Sequence, residues 1–155
     1  KEAINFISSQ IAEKVKDKFL SEPNINEIKN NSEIILISDF LNDSSHTEEI
    51  IKKLSSRGIK GSIIQILDPA EKTFPFKGRI NFTGPKEEES ILIGKAESVR
   101  NSYKRAITSH CDKIKRVALS YSWKYYADTT GSSPELSLLN ICNVLSNYNS
   151  LQLDT

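Results

Sequence analysis

Two apolar runs in this chain end in an aspartate. EIILIS leads to Asp39, and SIIQIL leads to Asp68. A carboxylate at such a place can hold a hard cation such as Mg²⁺, which takes oxygen ligands in octahedral geometry. It can serve as a general acid or base. It can also accept hydrogen bonds from nearby backbone N–H groups and do no chemistry. Ser38, Asn42 and Asp43 stand around the first aspartate, with His46 a little further on. Together with Asp39 and Asp68, the first three form a candidate strand-end cleft. For Asp68-Pro69-Ala70-Glu71 local capping accounts for every residue: aspartate as cap, proline at the first helical position, glutamate closing the box. His46 falls in a helix-cap segment and is expected to face solvent. His110 has the chemistry of a base. Its neighbour Cys111 is adjacent on one helix, so the two face different directions, and no other nucleophile is placed for it. A hydrogen-bonded structural histidine is therefore the better reading.

These residues need elements to carry them. Glu33 to Ile37 is short, β-branched and without alternation, which predicts a strand buried on both faces of a parallel sheet. Ser45-His46-Thr47-Glu48 has capping-box spacing. A helix over TEEIIKKLSSR should follow, with Ile50, Ile51 and Leu54 inward and Gly58 as its stop. SIIQIL, residues 62–67, is a second buried strand. Strand, helix and strand in this order make a βαβ unit. DPAEKTFPFKGRINFTGPKEEES departs from that pattern and predicts a β-hairpin excursion, PFKGRINFTG paired with SILIG. A long helix is expected over about 95–121, with Val99, Tyr103, Ile107, Cys111, Ile114, Ala118 and Tyr121 inward. SWKYYADT supplies a third strand. A last helix starts at Ser132-Ser133-Pro134-Glu135 and should bury Leu138, Ile141, Cys142 and Leu145. Ahead of all this, Ile4, Ile7, Ile11, Val15 and Phe19 predict an amphipathic helix over residues 3–20. Pro23 falls in a polar loop with one short helical turn around 24–29, and the tail from about 149 should fray. The fold class is α/β, Rossmann-like: a parallel sheet covered by helices, in a single domain of 155 residues.

Composition removes several function classes. Lys plus Arg number 21 and Asp plus Glu 20, a formal net charge of +1, so nothing points to nucleic acid or an anionic membrane. The lysines and arginines at 52, 53 and 57, and at 113, 115 and 116, are diluted by acids and read as solvated faces. No apolar run approaches a membrane span, and no phosphate-binding glycine loop occurs. Two distant cysteines, Cys111 and Cys142, read as buried or half-buried free thiols of a reducing, cytoplasmic compartment. The chain has no Met, which suggests a fragment or a processed product.

ILISDFLND, RGIKGSIIQILDPAEKTFPFKGRINF and SVRNSYKRAITSHCDKI, in that order, add a further expectation. Together they resemble the carboxy-terminal half of a bacterial family of von Willebrand factor A-like proteins. That family carries a domain-of-unknown-function label and is often encoded beside MoxR-type AAA+ ATPases. The resemblance runs over roughly residues 33–148. It implies a von Willebrand factor A-like fold whose adhesion-type site binds Mg²⁺ through a D-x-S-x-S loop, a Thr loop and an aspartate at the position of Asp39. This chain has no D-x-S-x-S, and its amino-terminal part, residues 1–32, is reduced to one helix and a loop. The metal site is therefore expected to be incomplete, and no cofactor is expected unless the missing Mg²⁺ ligands come from elsewhere. The function expected is a non-enzymatic interaction or scaffold module, with a MoxR-type ATPase as a partner. The alternative is a small-ligand-binding or hydrolytic domain using the strand-end cleft. The hairpin, with Phe76, Arg79 and Phe82, is the candidate partner surface. An open sheet edge beside ILISD makes a homodimer through that edge plausible on physical grounds.

Overall fold

The computed structural model describes residues 24–41, 43–83 and 90–146. The helix expected over 3–20 and the frayed tail lie outside these residues. The order is a 3₁₀ turn Ile25–Glu27, β1 Glu33–Ser38, α1 Ser44–Ser55, β2 Lys60–Leu67, α2 Pro69–Thr73, β3 Ile80–Thr83, β4 Ser90–Ile93, α3 Ala96–Ser120, β5 Lys124–Thr129 and α4 Pro134–Ser146. Three strands form a parallel sheet in the order β1-β2-β5, with Ile35 beside Ser62 and Ser62 beside Lys124. β3 and β4 pair antiparallel as a separate hairpin, Phe82 opposite Ile91. The α/β class, the hairpin and the element order agree with the sequence reading.

The core lies on one face of the sheet. Ile51 and Leu54 of α1, Ile63 of β2, Ile114 and Ala118 of α3, with Phe40, Ile59 and Trp123, form one buried cluster. Gly61 explains how Trp123 gets so close to the strand. A Cβ there would meet the Trp123 ring at 2.5 Å, so only glycine leaves room for the indole. α1 stops where Gly58 turns to φ +71° and the chain reverses into β2. Before β1, the Arg57 guanidinium donates to the carbonyls of Ile25 and Ile28 and ties the 3₁₀ turn down.

Three expectations need correction. β1 is not buried on both faces: exposure alternates along it, with Ile35 43% and Ile37 59% exposed. It is the end strand of the sheet, so its second face has no helix of the described residues over it. α1 is capped by Asp43, which accepts from Ser45 N–H at 3.1 Å, and the helix starts at Ser44, before the expected box. An aspartate cap two residues earlier captures the free N–H groups first. α4 has no buried residue: Leu138 and Cys142 are exposed, and Ile141 and Leu145 are half-buried. The thiols are free as expected, but Cys142 is exposed rather than buried.

The box at Asp68 is as expected. Its Oδ1 accepts from Ala70 N–H at 2.7 Å, and Glu71 Oε2 accepts from Asp68 N–H at 2.8 Å. Asp68→Ala should lower stability by about 1 kcal/mol, the usual loss for a helix cap, read as a shift in urea midpoint with unchanged slope.

Candidate functional site: strand ends and aromatic hairpin

The loop after β1 is shaped from three sides. Ser38 Oγ accepts from Phe40 N–H and donates to Asp39 Oδ1, both at 3.3 Å. Asp39 Oδ1 also accepts from Leu41 N–H at 3.2 Å. Phe40 sits at φ +52°, a left-handed conformation that an L-residue adopts only when its surroundings impose it. Those surroundings are specific. His110 Nε2 lies 2.6 Å from the Phe40 carbonyl, which fixes the tautomer with Nε2 protonated. Gln65 Nε2 donates to the Asp39 carbonyl at 2.7 Å. Gln65 is fully buried, and its Oε1 accepts from Tyr125 O–H at 2.6 Å. Burial pushes the Tyr125 phenol up to about 12. The neighbouring Cys111 thiol is raised, first by burial and then by Asp112.

His110 is thus spent on a backbone carbonyl, in keeping with the structural reading. The sequence reading missed Gln65 and Tyr125. The signal was present, since Gln65 is the one polar residue late in the apolar run SIIQIL.

The strand-end carboxylates all have local work. Asp43 lies below its ordinary value because Ser45 N–H, and next the Ser45 hydroxyl, hydrogen-bond to it. Asp68 Oδ2 additionally accepts from Thr130 Oγ1 at 3.2 Å, linking the ends of β2 and β5. At the end of β5, Asp128 accepts from the Ser132 hydroxyl at 2.6 Å and from Thr129 N–H at 2.7 Å. Its carboxyl is lowered, first by Ser132 and then by the Ser137 hydroxyl. Asn42 lies outside the described residues. A cavity of about 120 Å³ opens at the ends of β2 and β5, lined by Gln65, Leu67, Lys72, Thr108, Cys111 and Asp128. Among the described residues no group of three or more His, Cys, Asp and Glu is placed to hold a metal ion. A Mg²⁺ site built on Asp39 does not fit the donors these residues present, because the hard-oxygen shell the ion requires is not assembled there.

The hairpin is a second, different site. Phe74 is buried at φ +49° after α2. Its ring stacks on Phe82 at 5.7 Å, meets Phe76 edge-on at 5.2 Å and lies 4.6 Å from Tyr103 of α3. Arg100 clamps the approach, donating to the carbonyls of Phe74 at 2.9 Å and Phe76 at 2.8 Å. Gly78 N–H donates to Glu97 at 2.8 Å, and Ala96 N–H to the Gly78 carbonyl at 2.9 Å. The aromatics therefore fold onto each other: Phe76 and Phe82 are half-buried, while Arg79 is exposed. Phe74, Phe76, Phe82, Ile91, Ile93 and Tyr103 wall a cavity of about 340 Å³. Ile91 stands at its mouth, 69% exposed, and Leu92 projects from the opposite side of β4, also exposed.

A family model described as "Protein of unknown function DUF58" matches residues 23–113. That is more than half of the chain. The chain belongs to the DUF58 family. The match runs from just before the 3₁₀ turn into the second half of α3 and so includes the loop after β1, the Asp68 box and the whole hairpin. No curated protein and no solved structure matches this chain. Among the described residues no helix is long and apolar enough to cross a membrane. The DUF58 match ends before β5, so Tyr125 and α4 lie outside it.

Proposed function

We propose that this DUF58 chain is a non-enzymatic protein-interaction module of the von Willebrand factor A-like type that binds its partner through the hairpin. The observation that carries this reading is the apolar cavity walled by Phe74, Phe76, Phe82 and Tyr103, with Ile91 exposed at its mouth. A hollow lined by rigid aromatics, buttressed from behind by Arg100, accepts an apolar anchor at little ordering cost. The strand-end groups favour a scaffold over a catalyst. His110 donates to a backbone carbonyl, the Cys111 thiol is pushed up by burial, and Asp39, Asp43, Asp68 and Asp128 accept local hydrogen bonds. The partner to try first is a MoxR-type AAA+ ATPase, which the resemblance of the ILISDFLND, LDPAEKTFPF and Y-x₆-H segments suggests.

The test is binding of a purified MoxR-type ATPase to the immobilised chain. Ile91→Asp, at the cavity mouth, should weaken binding about tenfold or more, as loss of an interface anchor does. Leu92→Asp, on the opposite side of the same strand, should leave it within about twofold, and both should melt like the native chain. Equal binding by all three proteins would reject the hairpin as the contact surface. No binding by the native chain would reject this partner.

A further inference from the structure

The hairpin cavity is almost wholly apolar, and its two polar groups lie close together. Phe82, Ile91 and Ile93 share one face of the hairpin, because residues opposite each other and residues two apart on a strand point the same way. That face, with Phe74 and Phe76, makes most of the wall. α2 and α3 supply the rest. Among the described residues that line the cavity, Glu71 of α2 has the one charge and Tyr103 of α3 the one hydroxyl. The Tyr103 phenol is raised, first by burial and then by the Glu71 carboxylate, so the two are neighbours in a partly dry place.

Both groups have capacity to spare. Glu71 Oε2 accepts from Asp68 N–H at 2.8 Å, while Oε1 accepts no hydrogen bond from the described residues. The Tyr103 hydroxyl likewise makes none among them. A carboxylate set beside aromatic walls selects a particular guest. Ring faces carry partial negative charge and attract cations, the carboxylate attracts them too, and the apolar wall covers a hydrocarbon stem. No cation of the described residues takes this place. Arg100 is spent on the Phe74 and Phe76 carbonyls, and Lys72 lines the separate cavity at the strand ends. Lys77 and Arg79 are exposed and do not line this one.

We propose that a protein partner anchors itself in this cavity with an arginine side chain, its stem against Phe74, Phe76 and Phe82 and its guanidinium beside the Glu71 carboxylate and the Tyr103 ring. The proposal rests on the hairpin reading above and adds the chemistry of the anchor. Arginine suits the place better than lysine, because its planar head stacks on rings, is weakly hydrated and stays charged. A purely apolar anchor would leave the free Glu71 oxygen and the Tyr103 hydroxyl dry beneath it, a cost that arginine avoids. The volume, about 340 Å³, lies at the lower end for ligand sites and suits one long side chain.

NMR titration of the full chain with short blocked peptides tests this. Each peptide carries one central residue: arginine, citrulline (the same shape without the charge) or norleucine (a stem alone). The arginine peptide should shift the ring signals of Phe74, Phe82 and Tyr103 with a Kd on the order of 1 mM, the affinity one side chain can supply. The citrulline and norleucine peptides should bind about fivefold more weakly or worse, the loss expected for a cation–π contact and an ion pair. Glu71→Gln should erase the preference for arginine yet keep α2, because glutamine also closes a capping box. Equal binding of the three peptides overturns the arginine anchor, and so does a preference that Glu71→Gln leaves intact. Either result leaves the hairpin as a contact surface, which Ile91→Asp tests separately against the ATPase. If no peptide moves these signals, the arginine anchor is overturned too, because the cavity is then closed or held by the chain itself.

Discussion

Replacing Trp123 by Ala is expected to lower the stability of this chain by about 3–5 kcal/mol, the range for removing a large aromatic from a packed core. The indole is 2% exposed and belongs to the cluster that joins α1, α3 and the sheet. Its Nε1–H donates to Ser55 Oγ at 3.1 Å, so the substitution also frees a hydroxyl at the end of α1. Its backbone N–H closes α3 by donating to the Ala118 carbonyl at 2.9 Å, and that bond survives the change. The loss should therefore appear as a lower denaturant midpoint with the helical spectrum intact. Gly61 sharpens the test. An alanine Cβ there would press on the indole at 2.5 Å, with no flexible group to yield, so Gly61→Ala alone should cost about 1–3 kcal/mol. Combined with Trp123→Ala the same methyl enters vacated space. The double variant should then be less damaged than the two single losses added together, by 0.5 kcal/mol or more in order of magnitude. Strict additivity would mean that Gly61 is required for another reason.

How much of this was legible beforehand depends on what each feature rests on. Ile51, Leu54, Ile114 and Ala118 recur at helical spacing, and the structure buries all four. The Asp68 box could be read because capping is local: four consecutive residues contain the whole interaction. β1 and α4 misled for one reason. EIILIS and PELSLLNICNVLS have the composition of buried elements, and composition reports what a segment would bury, not whether another of the described elements covers it. The Phe76 and Phe82 pair shows a related limit. Sequence places aromatics on a hairpin, but only the approach of Phe74 and Tyr103 turns them inward and leaves Ile91 at the mouth. The contacts that shape the loop after β1 were illegible because they are long-range. Residues 65 and 39, and residues 110 and 40, are separated by 26 and 70 positions.

Gln65→Leu tests that loop, and its expected effect is second only to that of Trp123. Leucine preserves bulk and hydrophobicity, so a rule based on burial alone would call the change neutral or stabilising. The hydrogen-bond inventory says otherwise. Gln65 is fully buried and spends its amide in two directions, donating to the Asp39 carbonyl and accepting from Tyr125 O–H. Removing it strands a hydroxyl and a carbonyl, at about 1–3 kcal/mol for a group left dry; Asp39 is an exposed residue, so its carbonyl regains some water, and a loss of about 2–4 kcal/mol is expected. Tyr125→Phe on top of Gln65→Leu removes one stranded group and should recover part of that loss. A double variant no more stable than the single one would show that the phenol finds water once the amide is gone. The same pair has a pH signature. The Tyr125 phenol is raised to about 12 by burial, so the folded chain keeps a proton that the unfolded chain releases near 10. This contribution is fully present below pH 10 and is lost as pH climbs from about 10 towards 12. The native chain should therefore lose stability more steeply across that window than Tyr125→Phe. Equal slopes would mean that the phenol is solvated in the folded state and that Gln65 orders the Asp39 loop alone.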